Sequence, residues 1–383
     1  MRILFDARGV QDRSDGLSHY VRHLLVGLLR VDPLNEYLVL GGPAMREYLK
    51  RAGLLARPHI RLVETPIPFM GVGQQLRLPL LIRRFPQATV YHYPHFDMPL
   101  FAHPRSVMTI YDMNHVSLTR YFESLRTLKR LYSFGATFLG LKRAKHIITI
   151  SESSKRQLLT YFPWMDPQQV TVTYFGVNDA FRTVPTPDQT ARFRQQFNLA
   201  ADRFILYVGT HRPHKNVHRL LEAYGRLRRE RRIPQKLLLV GSLNGNGSVP
   251  STIRRLGLER QVRLLGYVAD EQLPLAYRTA DVFVYCSLSE GFGMPLLEAM
   301  ASEVPIVTSN LGAMAEIAGD GATLVDPYSV ESIAEGLGQV LSSESLRRQL
   351  VVRGRARVAR FRWEEAVDKT LEVYRSVSVC GRR

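Results

Sequence analysis

Residues 281–298 read DVFVYCSLSEGFGMPLLE, a short β-branched and aromatic strand, a tight glycine loop and the start of a helix. Pro295 suits the first helical position, because its missing amide proton is not needed there and its φ is already helical. Gly291 and Gly293 flank Phe292 and let backbone amides approach a ligand with no Cβ in the way. A helix starting at the mouth of a strand turns unpaired amide protons and a positive dipole end toward that ligand, which favours a diphosphate. The two carboxylates can then divide the work. Glu290 precedes the loop and can reach sugar hydroxyls or the anomeric carbon, while Glu298 can accept hydrogen bonds from the vicinal hydroxyls of a ribose.

Working outward, the same strand-then-helix rhythm fills the chain. In the second half, strands are expected at 204–208, 236–240, 261–265, 281–285, 304–308 and 322–325, with helices at 216–230, 249–257, 271–278, 294–301, 312–318 and 329–340. The first half carries strand patterns at 2–6, 36–40, 60–63, 88–91, 106–110, 146–150 and 170–174, and helical patterns at 16–30 and 122–144. Alternation of this kind predicts parallel sheets covered by helices, each with its ligand crevice beyond the carboxyl ends of the strands. The best place for a site is therefore a cleft between two such domains. A polar, turn-rich segment from Asn178 to Thr190, with Pro185 and Pro187, marks the boundary, and a helix at 188–198 leads into the second domain. The stretch 343–376 reads as one long basic helix. The partition is 1–185, 186–355 and a terminal segment 356–383.

At 383 residues the chain exceeds what one core supports, and 45% apolar residues fill two. Lys and Arg number 52 against 34 Asp and Glu, a formal charge of +18, so partners are expected to be anionic. The densest cluster is 120–156, where Arg120, Arg126, Lys129, Arg130, Lys142, Arg143, Lys145, Lys155 and Arg156 face only Glu123 and Glu152. Such a field suits a phosphorylated lipid or an anionic membrane surface, the alternative being a basic surface that serves solubility. Nucleic acid is disfavoured, since no zinc spacing, helix-turn-helix punctuation or aromatic RNA-binding signature is present. Cys286 and Cys380 alone exclude a disulfide scaffold and a cysteine-built metal site. The opening strand leaves no room for a signal peptide, and no uncharged run reaches about 20 residues, so a cytoplasmic protein with peripheral membrane contact at most is expected.

A second loop follows the first strand of the second domain: Tyr207-Val208-Gly209-Thr210-His211-Arg212-Pro213-His214-Lys215-Asn216. Breaking a sugar–phosphate bond develops negative charge on the leaving diphosphate, which Lys215 and a nearby arginine, Arg212, would stabilise most in the transition state.

Together these segments resemble the retaining glycosyltransferases of family four, which have the GT-B architecture, two Rossmann-like doubly wound domains facing a central cleft. Glu290-Gly291-Phe292-Gly293-Met294-Pro295-Leu296-Leu297-Glu298 looks like their signature. The resemblance implies that Glu290 contacts the transferred sugar, that Glu298 binds the ribose, and that Gly209, Thr210, Arg212 and Lys215 form the donor-phosphate loop. Relatives carry the loop arginine where this chain has Thr210 or His214. Gly16, after Asp6-Ala7-Arg8, resembles the first-domain glycine that lets the backbone near the phosphate. Tyr267 and Val268, after Leu265-Gly266 and followed by Leu273 and Tyr277, resemble the strand and helix beside the nucleobase. Phe361-Arg362-Trp363-Glu364 resembles the start of a helix that crosses back to the first domain.

Relatives show His-Asp where this chain has Tyr111-Asp112. His92, His115 and Asp112 are thus the candidates for sugar or acceptor contacts. The resemblance implies transfer of a hexose, GDP-mannose being the first donor to test, to a glycan or polyprenyl-diphosphate-linked acceptor. No metal or other cofactor is required, because cations and helix amides neutralise the diphosphate. In the retaining course the acceptor attacks on the leaving-group face, with a donor phosphate oxygen taking the proton. The segment 66–83, apolar and basic, suits a lipid headgroup layer or else folds over the core. Rival readings are a sugar phosphorylase or nucleotide-sugar epimerase on the same fold, and a non-catalytic binding subunit.

Overall fold

The computed structural model describes residues 1–11, 16–117, 126–199, 202–242 and 248–379. The chain forms two compact units, Met1–Gly176 with Arg362–Arg383, and Val177–Phe361.

The first unit holds a seven-stranded sheet of β1 (Arg2–Asp6), β2 (Glu36–Gly41), β3 (Ile60–Glu64), β4 (Val90–Tyr93), β5 (Ser106–Ile110), β6 (His146–Thr149) and β7 (Val170–Val172), in the order β3-β2-β1-β4-β5-β6-β7. Every pairing is parallel. The central strands are buried along their length, as both faces of a helix-covered parallel sheet must be. Helix Gly16–Val31 lays Tyr20, Leu24, Leu25, Leu28 and Leu29 into the core. Helix Trp363–Val379 packs in the same unit, close enough that a Cβ on Gly27 would stand 2.5 Å from Val367. Trp363 stacks on Phe175 and His23, and Tyr374 bonds His92 at 2.6 Å.

The second unit holds β8 (Phe204–Val208), β9 (Lys236–Val240), β10 (Val262–Gly266), β11 (Val282–Tyr285), β12 (Ile306–Ser309) and β13 (Thr323–Val325), ordered β10-β9-β8-β11-β12-β13 and again all parallel. Helix Pro187–Gln196 opens on a capping box, Thr186 and Gln189 each satisfying the other's backbone amide. In both units the order reverses beside the first strand, the arrangement of a doubly wound Rossmann-like domain.

Most expected strands lie within two residues of those observed. The strand read at 88–91 runs instead over Val90–Tyr93, because Ala88 closes a turn on Phe85 and the polar-looking His92 is a buried strand residue. The single helix read at 343–376 is two, Glu344–Val358 and Trp363–Val379; the chain turns at Arg360 and Phe361, and Phe361 is buried with its ring edge against Phe292. Helix Arg126–Arg143 covers the described part of the 122–144 pattern; 122–125, Arg120, Glu123 and Cys380 lie outside the described residues. Helices Pro43–Arg51, Val72–Ile82 and Glu152–Tyr161 were not anticipated, the second because Pro79 interrupts its pattern. The units part at Gly176 and Val177, ahead of the turn-rich segment.

Candidate functional site

In the second unit, β8 and β11 are neighbours whose onward connections run in opposite directions, so their carboxyl ends flank the switch point of the sheet. The two loops singled out in the sequence leave from these ends. Lys215 Nζ donates to Glu290 Oε1 at 2.7 Å, both side chains being only slightly exposed. Tyr285, the last residue of β11, bridges the pair: its hydroxyl accepts from Lys215 at 2.7 Å and donates to Glu290 Oε1 at 3.0 Å. Ser287 adds a third donor to the same oxygen, at 2.6 Å. Burial alone would raise the Glu290 pKa, but the charge of Lys215 and the hydrogen bonds from Lys215 and Ser287 outweigh it and hold the carboxyl below its usual range. Burial and the neighbouring Glu290 push the Tyr285 phenol well above its ordinary value, so it stays a proton donor.

The loops are joined by backbone as well. The carbonyl of His214 accepts from Leu288 N at 2.8 Å, and Ser287 Oγ lies 2.9 Å from it. Asn216, buried and left-handed at φ 62°, donates to the carbonyls of Cys286 and Pro327 at 3.0 and 2.7 Å. Asparagine tolerates that conformation better than most side chains, so the residue after Lys215 fixes where the lysine is carried. His214 itself is pushed down to about 4 by burial, against the pull of Glu290.

Beyond Glu290, Gly291, Phe292 and Gly293 are buried, and Met294 and Pro295 begin helix Met294–Ala301. Gly293 sits at φ 108°, a conformation that favours glycine, and a Cβ there would stand 2.3 Å from the terminal methyl of Met314, which would have to move. Glu298 is buried on this helix and accepts from Tyr277 OH at 2.7 Å. Burial raises its pKa to about 7, opposed by the Tyr277 hydrogen bond.

Gly209 and Thr210 are half-buried, and Tyr207 OH donates to the Thr210 carbonyl at 2.9 Å. Arg212 is exposed and pairs with no carboxylate among the described residues. Tyr267 is largely exposed and Val268 is buried.

The first-unit candidates lie apart from one another. Gly16 is the exposed first residue of helix Gly16–Val31, with open space around its Cα. His92 is fully buried, and both ring nitrogens are taken, by Tyr374 OH at 2.6 Å and Thr109 Oγ1 at 2.8 Å. Burial pushes its pKa down to about 3, and no nitrogen is left for an acceptor. Asp112 accepts from its own loop, Asn114 N, at 2.9 Å. His115 stacks on Phe96 at 3.9 Å with Nε2 on Thr137 at 3.0 Å, and burial takes it to about 3.

The sequence reading missed Tyr285 and Ser287, and it named Tyr277 without the hydrogen bond to Glu298. Each looks like an ordinary strand or helix residue, and only their alternation with core positions hinted that a polar tip reached the strand ends. It also missed a buried network in the first unit. Arg8 pairs with Asp6 at 2.9 Å and donates to Gln74 at 3.2 Å, while Tyr91 OH donates to Asp6 at 3.0 Å. Gln74 in turn donates to Asp97 Oδ2 at 2.9 Å.

Comparison with known proteins follows the same division. Residues 188–357 match the family described as Glycosyl transferases group 1, and residues 14–181 match Glycosyltransferase Family 4. The chain is 33% identical over 287 residues to O-antigen chain mannosyltransferase B of Escherichia coli, covering 75% of this chain and 74% of that protein. It is 34% identical over 237 residues to the MMP alpha-(1->4)-mannosyltransferase of Mycolicibacterium hassiacum, covering 61% and 54%. Among solved structures, Anabaena Alr3699/HepE in complex with UDP-glucose superposes with a TM-score of 0.76 over 98% of this chain and 100% of that one, at 19% identity. That likeness is one of fold.

Proposed function

Because the chain belongs to the GT-B glycosyltransferases, with halves that match Glycosyltransferase Family 4 and Glycosyl transferases group 1, and carries out nucleotide-sugar-dependent glycosyl transfer, we propose that it moves mannose from GDP-mannose to a glycan acceptor with retention at the anomeric carbon. The observation that carries this reading is the Lys215–Glu290 pair at the switch point of the second sheet. In the resting protein the lysine is neutralised by Glu290. A bound diphosphate offers it a stronger partner, and the released carboxylate is then free to face the sugar while Tyr285 and Ser287 still hold Oε1.

The remaining assignments follow from position. Backbone amides from Gly291 to Met294 and the Gly209–Thr210 turn receive the phosphates, with Arg212 as second cation. Glu298 accepts the ribose hydroxyls, and Tyr267 and Val268 border the base. Asp112 and His115 are the first-unit candidates for sugar contact. As the sugar–phosphate bond breaks through an oxocarbenium-like state, Lys215 and the helix amides stabilise the departing charge and Glu290 the developing cation. Mannose is favoured over other sugars because two of the similar proteins are named mannosyltransferases.

We further propose peripheral contact with an anionic membrane that carries a polyprenyl-diphosphate-linked acceptor, on the cytoplasmic face. No helix among the described residues is long and apolar enough to cross a membrane. The first unit nevertheless exposes Leu76 and Leu80 on helix Val72–Ile82 and Leu131, Tyr132 and Leu139 on helix Arg126–Arg143. Leu131, Tyr132 and Leu139 line an apolar cavity of about 250 Å³, and Arg83, Arg84, Lys142 and Arg143 are exposed on the same helices and their ends. Apolar tips among cations suit an interface of acyl chains and phosphates.

The test is a panel of nucleotide sugars read by melting temperature and by nucleoside diphosphate release, with NMR assignment of the product anomer. GDP-mannose should raise the melting temperature and be consumed only with acceptor. Release of sugar 1-phosphate would identify a phosphorylase, epimer formation an epimerase, and tight binding without turnover a binding subunit.

A further inference from the structure

The cavity of about 250 Å³ in the first unit lies between helix Arg126–Arg143 and the segment that leads from β4 to β5. Leu131, Gly135, Ala136 and Leu139 on the helix face Met98 and Leu100 on the segment. Two polar side chains also reach it among the described residues, and both are engaged elsewhere. Gln75 donates from Nε2 to the Asp97 carbonyl at 3.3 Å and accepts at Oε1 from Leu100 N at 3.2 Å, and the Tyr132 hydroxyl lies beside Gln75 and the Gly71 backbone. A space without free hydrogen-bonding groups takes hydrocarbon in preference to water. The helix wall is also built small. Glycine inside a helix is destabilising relative to alanine, and Gly140 on this helix has a packing reason, since a Cβ there would stand 3.0 Å from the Met108 sulfur. A Cβ on Gly135 would meet nothing within 4 Å, so no neighbour requires glycine there and its missing side chain leaves room. The rim is cationic. Phe101, exposed and adjacent to Leu100, lies under the Arg143 guanidinium at 5.8 Å, and Lys142 lies over Trp164 at 3.8 Å. Neither helix Val72–Ile82 nor helix Arg126–Arg143 carries an Asp or Glu, so an anion at the rim meets no like charge from them.

We propose that this cavity binds the head-proximal hydrocarbon of a prenyl phosphate, one chain per molecule, with the phosphate held at the rim by Arg143. The identity of the lipid rests on the lipid-linked-acceptor reading above, which it deepens from contact with a membrane surface to capture of a single chain. The volume sets a length. A cavity of about 150 Å³ holds a benzene ring, so about 250 Å³ accommodates about ten carbons, the length of two isoprene units. Each buried methylene tightens binding about fourfold, and only while the cavity has room. Adsorption on the exposed leucines outside it has no such limit.

The experiment titrates the full chain by calorimetry with n-alkyl phosphates from about 6 to about 14 carbons, each below its micellar concentration, and with geranyl phosphate, decanol and inorganic phosphate. Affinity should climb about fourfold per carbon and level off at about ten carbons, geranyl phosphate should bind within about threefold of decyl phosphate, and inorganic phosphate should give no signal. Gly135→Leu, which fills the space from a position with no neighbour to displace, should weaken decyl phosphate at least about 30-fold without lowering the melting temperature; Ala136→Phe is the second filling variant and should do the same. Arg143→Gln should weaken decyl phosphate about tenfold and decanol less than about twofold. Affinity that rises with the same slope beyond ten carbons, or that both filling variants leave unchanged, overturns the cavity in favour of surface adsorption. Inorganic phosphate binding as tightly as decyl phosphate overturns it in favour of a plain anion site. Transfer to a prenyl-phosphate-linked glycan without the chain-length limit removes the cavity alone. The limit without such transfer, in a protein that still releases GDP with methyl α-mannoside, supports the cavity and removes the lipid-linked-acceptor reading.

Discussion

Replacing Tyr285 by phenylalanine removes one oxygen and keeps the ring that stacks between Tyr207 and Phe283, at 5.8 and 5.9 Å. The lost hydroxyl serves two charged groups, accepting from Lys215 and donating to Glu290. A hydrogen bond to a charged group contributes about 1.5–3 kcal/mol. Ser287 and Lys215 still hold Glu290 Oε1 at 2.6 and 2.7 Å, so the lower end applies. If the bridge keeps Glu290 aligned in the transition state, kcat should fall about 10- to 30-fold. The donor KM should change less than about threefold, because the hydroxyl is aimed at Glu290 and not at the phosphates. The assay is nucleoside diphosphate release under saturating acceptor, with far-UV melting to confirm the fold. An unchanged kcat would refute the idea that Tyr285 and Glu290 act as a unit. A fall in kcat accompanied by a large loss of melting temperature would show that the hydroxyl only supports packing.

Other expectations can be checked separately. Glu298 has a folded-state pKa of about 7 against an ordinary 4.5, so protonation favours the folded protein; that contribution is complete below about pH 4.5 and is lost as pH rises through 7. Glu298→Gln should then be more stable than wild type by up to about 3 kcal/mol at pH 8 and nearly equal to it at pH 4, measured by urea unfolding, while binding nucleotide more weakly. Asn216→Ala should cost about 2–4 kcal/mol, since it strands two buried carbonyls and puts alanine in a left-handed conformation; an unfolding midpoint equal to wild type would contradict the bracing role. Leu76→Asp with Leu80→Asp should abolish sedimentation with vesicles rich in phosphatidylglycerol and leave turnover of a water-soluble acceptor intact; unchanged sedimentation would remove the membrane reading.

Fold class was legible because a helix-covered parallel sheet needs strands that are apolar on both faces. Runs such as Phe204–Val208 and Ser106–Ile110 advertise that without any knowledge of their neighbours. Breaks in local pattern were harder. Pro79 inside a helix and His92 inside a strand mislead because tertiary packing, not propensity, decides those positions. In the candidate site, Glu290, Lys215, Gly293 and Pro295 were readable since each serves a backbone or charge requirement evident in its own loop.

The sequence by itself determined the architecture, the two loops of the candidate site and the net positive field, all properties of local pattern and composition. Only the tertiary structure decided that Lys215 meets a carboxylate 75 positions away, that Tyr285 bridges them, and that both ring nitrogens of His92 are taken. The physical reason is that hydrogen bonds depend on angstrom-scale placement of side-chain tips. That placement is fixed by strand order and loop register, which residue spacing along the chain does not encode.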